Sequence, residues 1–226
     1  MKNYIRDKQE LRKGNFVTHS AINVIVKDEL MFDLKMEDLE KILNLFPKSV
    51  TRRIDYIIFG NFNFLNKFNY NAAYNEGAIY VSNIQGDNMD ILDDIVHEIG
   101  HSVEDNNKEL VYGDGLLEME FINKRNLLNK ELKKSGYNIP DEKMQNPDYD
   151  KQLDLIFSDK IGYPEMTAIS QGIFYSPYGA TSLKEYFANG FEAYYYHKDL
   201  YLKKVSPVLF AKIEMLEEME NEASNI

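Results

Sequence analysis

No cysteine occurs in this chain of 226 residues, which excludes disulfide staples, a thiolate nucleophile and every cysteine-based metal knuckle. Cations are in deficit: 26 lysines and arginines against 37 aspartates and glutamates leave a formal net charge of −11. That balance argues against a nucleic-acid groove, which needs a basic surface to displace counterions, and against docking on anionic lipid. No run approaches the roughly 18 apolar residues of a membrane span. The opening stretch MKNYIRDKQELRKGNF lacks the apolar core of a secretory signal. The expectation is a protein without membrane insertion, located in the cytosol or exported by a non-classical route. Oligomeric state is not legible. Internal repeats and Pro/Gly/Ser-rich linkers are missing as well, so one domain over residues 19–226 is expected, preceded by a polar arm or short helix at 1–18.

What is present suffices for a core: 44% of residues are hydrophobic and 13% aromatic, which rules out wholesale disorder. Three short β-branched or aromatic runs read as strands, Ile22–Glu29, Ile54–Gly60 and Gly77–Asn83. Between the first two, Met36, Leu39, Ile42, Leu43 and Phe46 share one stripe of period 3.6, which predicts a helix over Lys35–Phe46. The second half reads as helical. A long amphipathic helix ends at Gly136, another opens near Pro147, a glycine- and proline-containing loop covers 162–182, and two helices close the chain. The first of these starts at Thr181 or Ser182, the second at Pro207 with Ser206 as cap. The class is α+β, with a small mixed sheet N-terminal to the segment discussed next and a mainly helical C-terminal half.

That segment is MDILDDIVHEIGHSVEDN, Met89–Asn106, with Asp87 or Asn88 as its cap. Ile91, Leu92, Ile95, Ile99 and Val103 form an apolar stripe, so the remaining face looks out of the core. His97 and His101 stand one helical turn apart on that face, and both imidazoles can reach one tetrahedral ion at about 2.0–2.1 Å. Glu98 is rotated about 100° from His97. It is poorly aimed to ligate the same ion and well placed to act as a base on a water in the open coordination position. A catalytic zinc needs a third protein ligand. His19, His197 and the carboxylate of Glu185 are the candidates the chain offers.

The segments GAIYVSN, DDIVHEIGHSVED, YGATSLKEYFANGF and LKKVSPVLFAKIEML, within residues 54–215, resemble the zincin-like catalytic domain of the anthrax lethal factor family, with the Pro-Pro endopeptidases as smaller cousins. The resemblance implies a His-His-Glu zinc site formed by His97, His101 and Glu185. It also implies that Tyr178, seven residues before Glu185, faces the metal and donates to the oxyanion. Ser182 and Glu185 also fit the S-x-x-E capping pattern, a structural role for the same glutamate. One position departs from the family: four residues after Glu185, relatives carry a carboxylate that orients a ligand histidine, and this chain has Asn189. Its amide oxygen can orient an imidazole without adding charge, and Asp94, one turn before His97, is the alternative carboxylate.

The activity so implied is zinc-dependent endopeptidase: Zn2+ as cofactor, Glu98 as general base, Tyr178 as oxyanion donor, and a peptide or protein as substrate. An extended substrate is expected to pair with GAIYVSN as the edge of the sheet. The alternatives are a weakly active or inactive zincin-fold binding or assembly module, possibly within a larger particle, and a metallohydrolase acting on a different amide. Cleavage specificity is not readable, because one site on one fold serves very different peptides.

Overall fold

Runs of valine, isoleucine and tyrosine build the sheet. The structure, a computed structural model, describes residues 10–198 and 200–224. Five strands pair in the order β1-β2-β3-β5-β4: β1 (Gly14–Val17), β2 (Asn23–Val26), β3 (Tyr56–Gly60), β4 (Ala72–Asn75) and β5 (Ala78–Ser82). The central β2, β3 and β5 run parallel, while β1 and β4 are antiparallel edges. Register aligns Val24 with Ile57 and Ile79, and Val26 with Phe59 and Val81. All six are at most 2% exposed, so a single β-branched and aromatic face supplies this part of the core. On the opposite face Tyr80 meets the edges of Phe62 and Phe64, with ring centroids 5.3 and 5.4 Å away.

The fold class is α+β, and the three strands read from sequence are present with shorter bounds. Two strands had no such signal. Gly14–Val17, within the stretch read as an arm or short helix, pairs with β2; residues 1–9 lie outside the described residues. Ala72–Asn75 is poor in strand-forming side chains, and a tight turn puts it in the sheet. Glu76 and Gly77 both take positive φ (45° and 83°), the geometry of a two-residue hairpin, and fold β4 back onto β5. The expectation that GAIYVSN forms the sheet edge is therefore corrected: β5 is paired on both sides, and β4 is the edge beside it.

By its internal contacts the chain divides into two units, one closing at Val103 and resuming from Leu216, the other running Glu104–Met215. The first holds the sheet, helix α1 (Met36–Leu43) and most of helix α2 (Asn88–Asn106). Its C-terminal residues are tied in by an Arg53–Glu220 ion pair of 2.6 Å, and Glu220 is buried. The second holds α3 (Leu116–Lys134), α4 (Tyr163–Ser170), α5 (Leu183–Tyr195) and the first half of α6 (Pro207–Ser224). Glu120 on α3 accepts the backbone N–H groups of Val208 and Leu209 at 2.9 and 3.1 Å, which satisfies orphan donors at the start of α6.

Two further readings change in this unit. The helix placed near Pro147 is capped instead by Asp150, whose carboxylate accepts from Gln152 and Leu153 before the chain passes into a π-helical stretch, Ile156–Gly162. The supposed loop 162–182 contains α4, because Pro164 sits in its first turn, where a missing N–H costs nothing. Gly190 on α5 is required by packing: a Cβ there meets Leu209 at 2.3 Å. Gly190→Ala is accordingly expected to destabilise the protein by about 1–3 kcal/mol, measured by urea unfolding. Among the described residues no helix is long and apolar enough to cross a membrane.

Candidate metal and catalytic centre

Helix α2 carries the histidine pair. Asp87 accepts from the N–H groups of Met89 and Asp90 at 2.7 and 3.0 Å and so caps the helix, as its position in the sequence suggests. Ile91, Ile95, Val96, Ile99 and Val103 are at most 1% exposed, which fixes the rotation of the helix. His97 and His101 emerge half-buried on the other side, with ring centroids 5.0 Å apart and planes at 80°. Glu98, 8% exposed, turns towards the sheet: its Oε2 accepts the backbone N–H of Tyr74 on β4 at 2.6 Å. The other two histidines face glutamates. His19 Nδ1 is 3.4 Å from Glu40, and His197 Nε2 is 3.2 Å from Glu192.

In the second unit Glu185 lies in the first turn of α5, half-buried, and its N–H donates to Ser182 Oγ at 3.2 Å. Ser182 is thus the cap, as read. Tyr178 opens a 3-10 turn, Tyr178–Ala180, immediately after Pro177. The turn is locked from within by Thr181, whose N–H and Oγ both donate to the Tyr178 carbonyl, at 3.0 and 2.8 Å.

The same turn is strapped from outside by residues that sequence reasoning passed over. Arg125 on α3 is fully buried, and its guanidinium donates to the carbonyls of Ala180 (2.8 Å), Thr181, Asn146 and Lys143 (3.3 Å). Burial pushes its pKa down to about 10, only partly offset by Asp150. Its neighbour Lys124 donates to the carbonyls of Ile173 and Val205 and is pushed down to about 8, again by burial first. A signal for both was present: they continue the apolar stripe Leu117, Phe121, Leu128, Leu132, where a solvated cation is out of phase. Arg125→Met leaves several buried carbonyls without donors at about 1–3 kcal/mol each. Denaturant unfolding is expected to show a loss of at least about 3 kcal/mol on the same scale.

Asn189 holds the preceding loop. Its Oδ1 accepts from Ser176 Oγ at 2.8 Å, and it stands 3.2 Å from where a Cβ on Gly179 would be. Asn189 thus anchors the segment that leads into Tyr178. Two tyrosines lie within electrostatic reach of Glu185. Tyr112 donates to the buried Glu104 at 2.7 Å, and its hydroxyl is raised far above the ordinary tyrosine range, by burial first, then Glu104 and Glu185. Tyr163 is pushed up to about 12 by burial, then by Asp154, Asp159 and Glu185. Both stay neutral donors at physiological pH.

Compared with known protein families, with curated proteins and with solved structures, the chain matches none.

Proposed function

We propose that this chain is a zinc-dependent endopeptidase of the lethal factor-like zincin type, in which His97, His101 and Glu185 bind the zinc. The observation that carries the reading is the paired presentation on α2 of two half-buried imidazoles, 5.0 Å apart, with a buried carboxylate between them in sequence. Two neutral nitrogens and a carboxylate oxygen fit zinc by ligand type, and the chain has no thiolate to compete for it. Bound there, zinc polarises a carbonyl and acidifies a water.

The chain's own groups supply the rest. Glu98 removes the proton from the attacking water and returns it to the departing amide nitrogen. Tyr178 donates a hydrogen bond to the oxyanion that forms as the carbonyl carbon becomes tetrahedral. Arg125 and Asn189 hold the turn that carries Tyr178, so the donor needs no rearrangement as charge develops. The substrate is an extended peptide paired with the outer edge of β4, next to Glu98. The net charge of −11 favours neutral or basic peptides in the encounter.

The test is cleavage of a proteome-derived peptide library by zinc-loaded protein, read by mass spectrometry beside Glu98→Gln. Cuts made by the parent alone are expected. An uncut library from protein whose zinc content has been verified would overturn the reading.

A further inference from the structure

The contact between Glu98 and the edge strand joins the base directly to the sheet. In an antiparallel pair, residues alternate between those that bond the partner strand and those whose N–H and C=O face away from it. Ser82 donates to Asn71 at 2.7 Å, and the register pairs Ala72 with Val81, Ala73 with Tyr80 and Tyr74 with Ile79. The bonded pairs are therefore Asn71–Ser82 and Ala73–Tyr80, and the N–H of Tyr74 points away from β5, off the free edge. An outward amide on an edge strand ordinarily meets water. Here it meets the carboxylate of Glu98 at 2.6 Å, in the range of a charge-assisted bond.

The Tyr74 side chain is engaged separately, its hydroxyl accepting from the N–H of Gly77 at 3.1 Å, which closes the hairpin on itself. Backbone and side chain of one residue thus do two jobs: the ring fixes the turn, and the amide holds the glutamate. A glutamate has three side-chain torsions to settle, and burial at 8% exposure without a donor would be costly. The strand amide both compensates the buried charge and selects one rotamer.

We propose that the backbone N–H of Tyr74 is a positioning group for Glu98, holding one carboxylate oxygen at the sheet edge and so fixing the direction in which the side chain meets the water it deprotonates. The inference rests on the peptidase reading above for its catalytic meaning, while the contact itself is independent of that reading. Strand β4 is then more than a rail for substrate. Its register sets the base, and a shift of the hairpin by one residue would present a ladder-bonded amide and release Glu98.

Two measurements test this. Amide hydrogen exchange by NMR on the metal-free protein is expected to show Tyr74 protected, although it faces outward. In Glu98→Ala its exchange should accelerate by at least about tenfold, with the amide of Ala73 unchanged. Equal rates for Tyr74 in the two proteins would overturn the proposal. For turnover, Tyr74→Pro deletes the N–H together with the ring, at a position where an edge strand accepts proline without losing a ladder bond. Tyr74→Ala keeps the N–H and deletes the ring.

With zinc content matched, Tyr74→Pro is expected to lower kcat about tenfold to a hundredfold with KM unchanged. Tyr74→Ala lacks the ring as well but keeps the N–H, and should retain at least about tenfold more of the parent's kcat than Tyr74→Pro on that scale. An active parent equalled by Tyr74→Pro would remove the inference and leave the peptidase reading standing. A zinc-loaded parent that cleaves no peptide would remove that reading and the catalytic role together.

Discussion

Replacing Glu98 by glutamine is expected to lower peptide hydrolysis about a thousandfold and to leave zinc content at the parent's level. Glutamine keeps the shape of the side chain and an acceptor oxygen for the N–H of Tyr74, so the sheet contact survives the change. It cannot take a proton. The loss is expected in kcat, because removing a base weakens an interaction made only in the transition state. The measurement is steady-state kinetics on a peptide found in the library screen, with metal quantified on the same sample. Undiminished turnover would mean that another group takes the proton, and the role assigned to Glu98 would be withdrawn.

His101→Ala is expected to release the metal and with it all turnover. Loss of a group that merely orients a ligand lowers metal affinity about 10–100-fold, and loss of a ligand itself should exceed that. Two readouts separate this from simple unfolding. Zinc should raise the thermal midpoint of the parent, since a ligand that binds only the folded state stabilises it by mass action, and should leave that of His101→Ala unmoved. The variant's own midpoint without metal should lie near the metal-free parent's, because His101 is half-buried on the face of α2 opposite its core stripe. A zinc content equal to the parent's would place the ion elsewhere.

The parts that sequence reasoning recovers here are those governed by short-range periodicity. The stripe Ile91–Val103, the cap at Asp87 and the one-turn spacing of His97 and His101 are all set within a single helix. The same holds for Ser182 at the start of α5. The α4 helix was missed because Gly162, Pro164 and Gly172 read as loop punctuation, although a proline in a first turn favours a helix start. The edge of the sheet was misassigned for another reason. Ala72–Asn75 has no strand signature of its own and is held in place by the hairpin at Glu76–Gly77.

By itself, then, the amino-acid sequence determined the α+β class, the helix that displays His97, Glu98 and His101, and the spacing of Tyr178 from Glu185, because each depends on residues within a turn or two of one another. The tertiary structure alone decided that β4 is the edge strand beside β5, that its outward amide meets Glu98, and that Arg125 and Asn189 brace the turn of Tyr178. The contacts of Glu98 with Tyr74, Arg125 with Ala180 and Asn189 with Ser176 join residues 13 to 55 positions apart. Buried carboxylates and carbonyls must find donors wherever the fold brings them, and no local pattern announces which donor that will be.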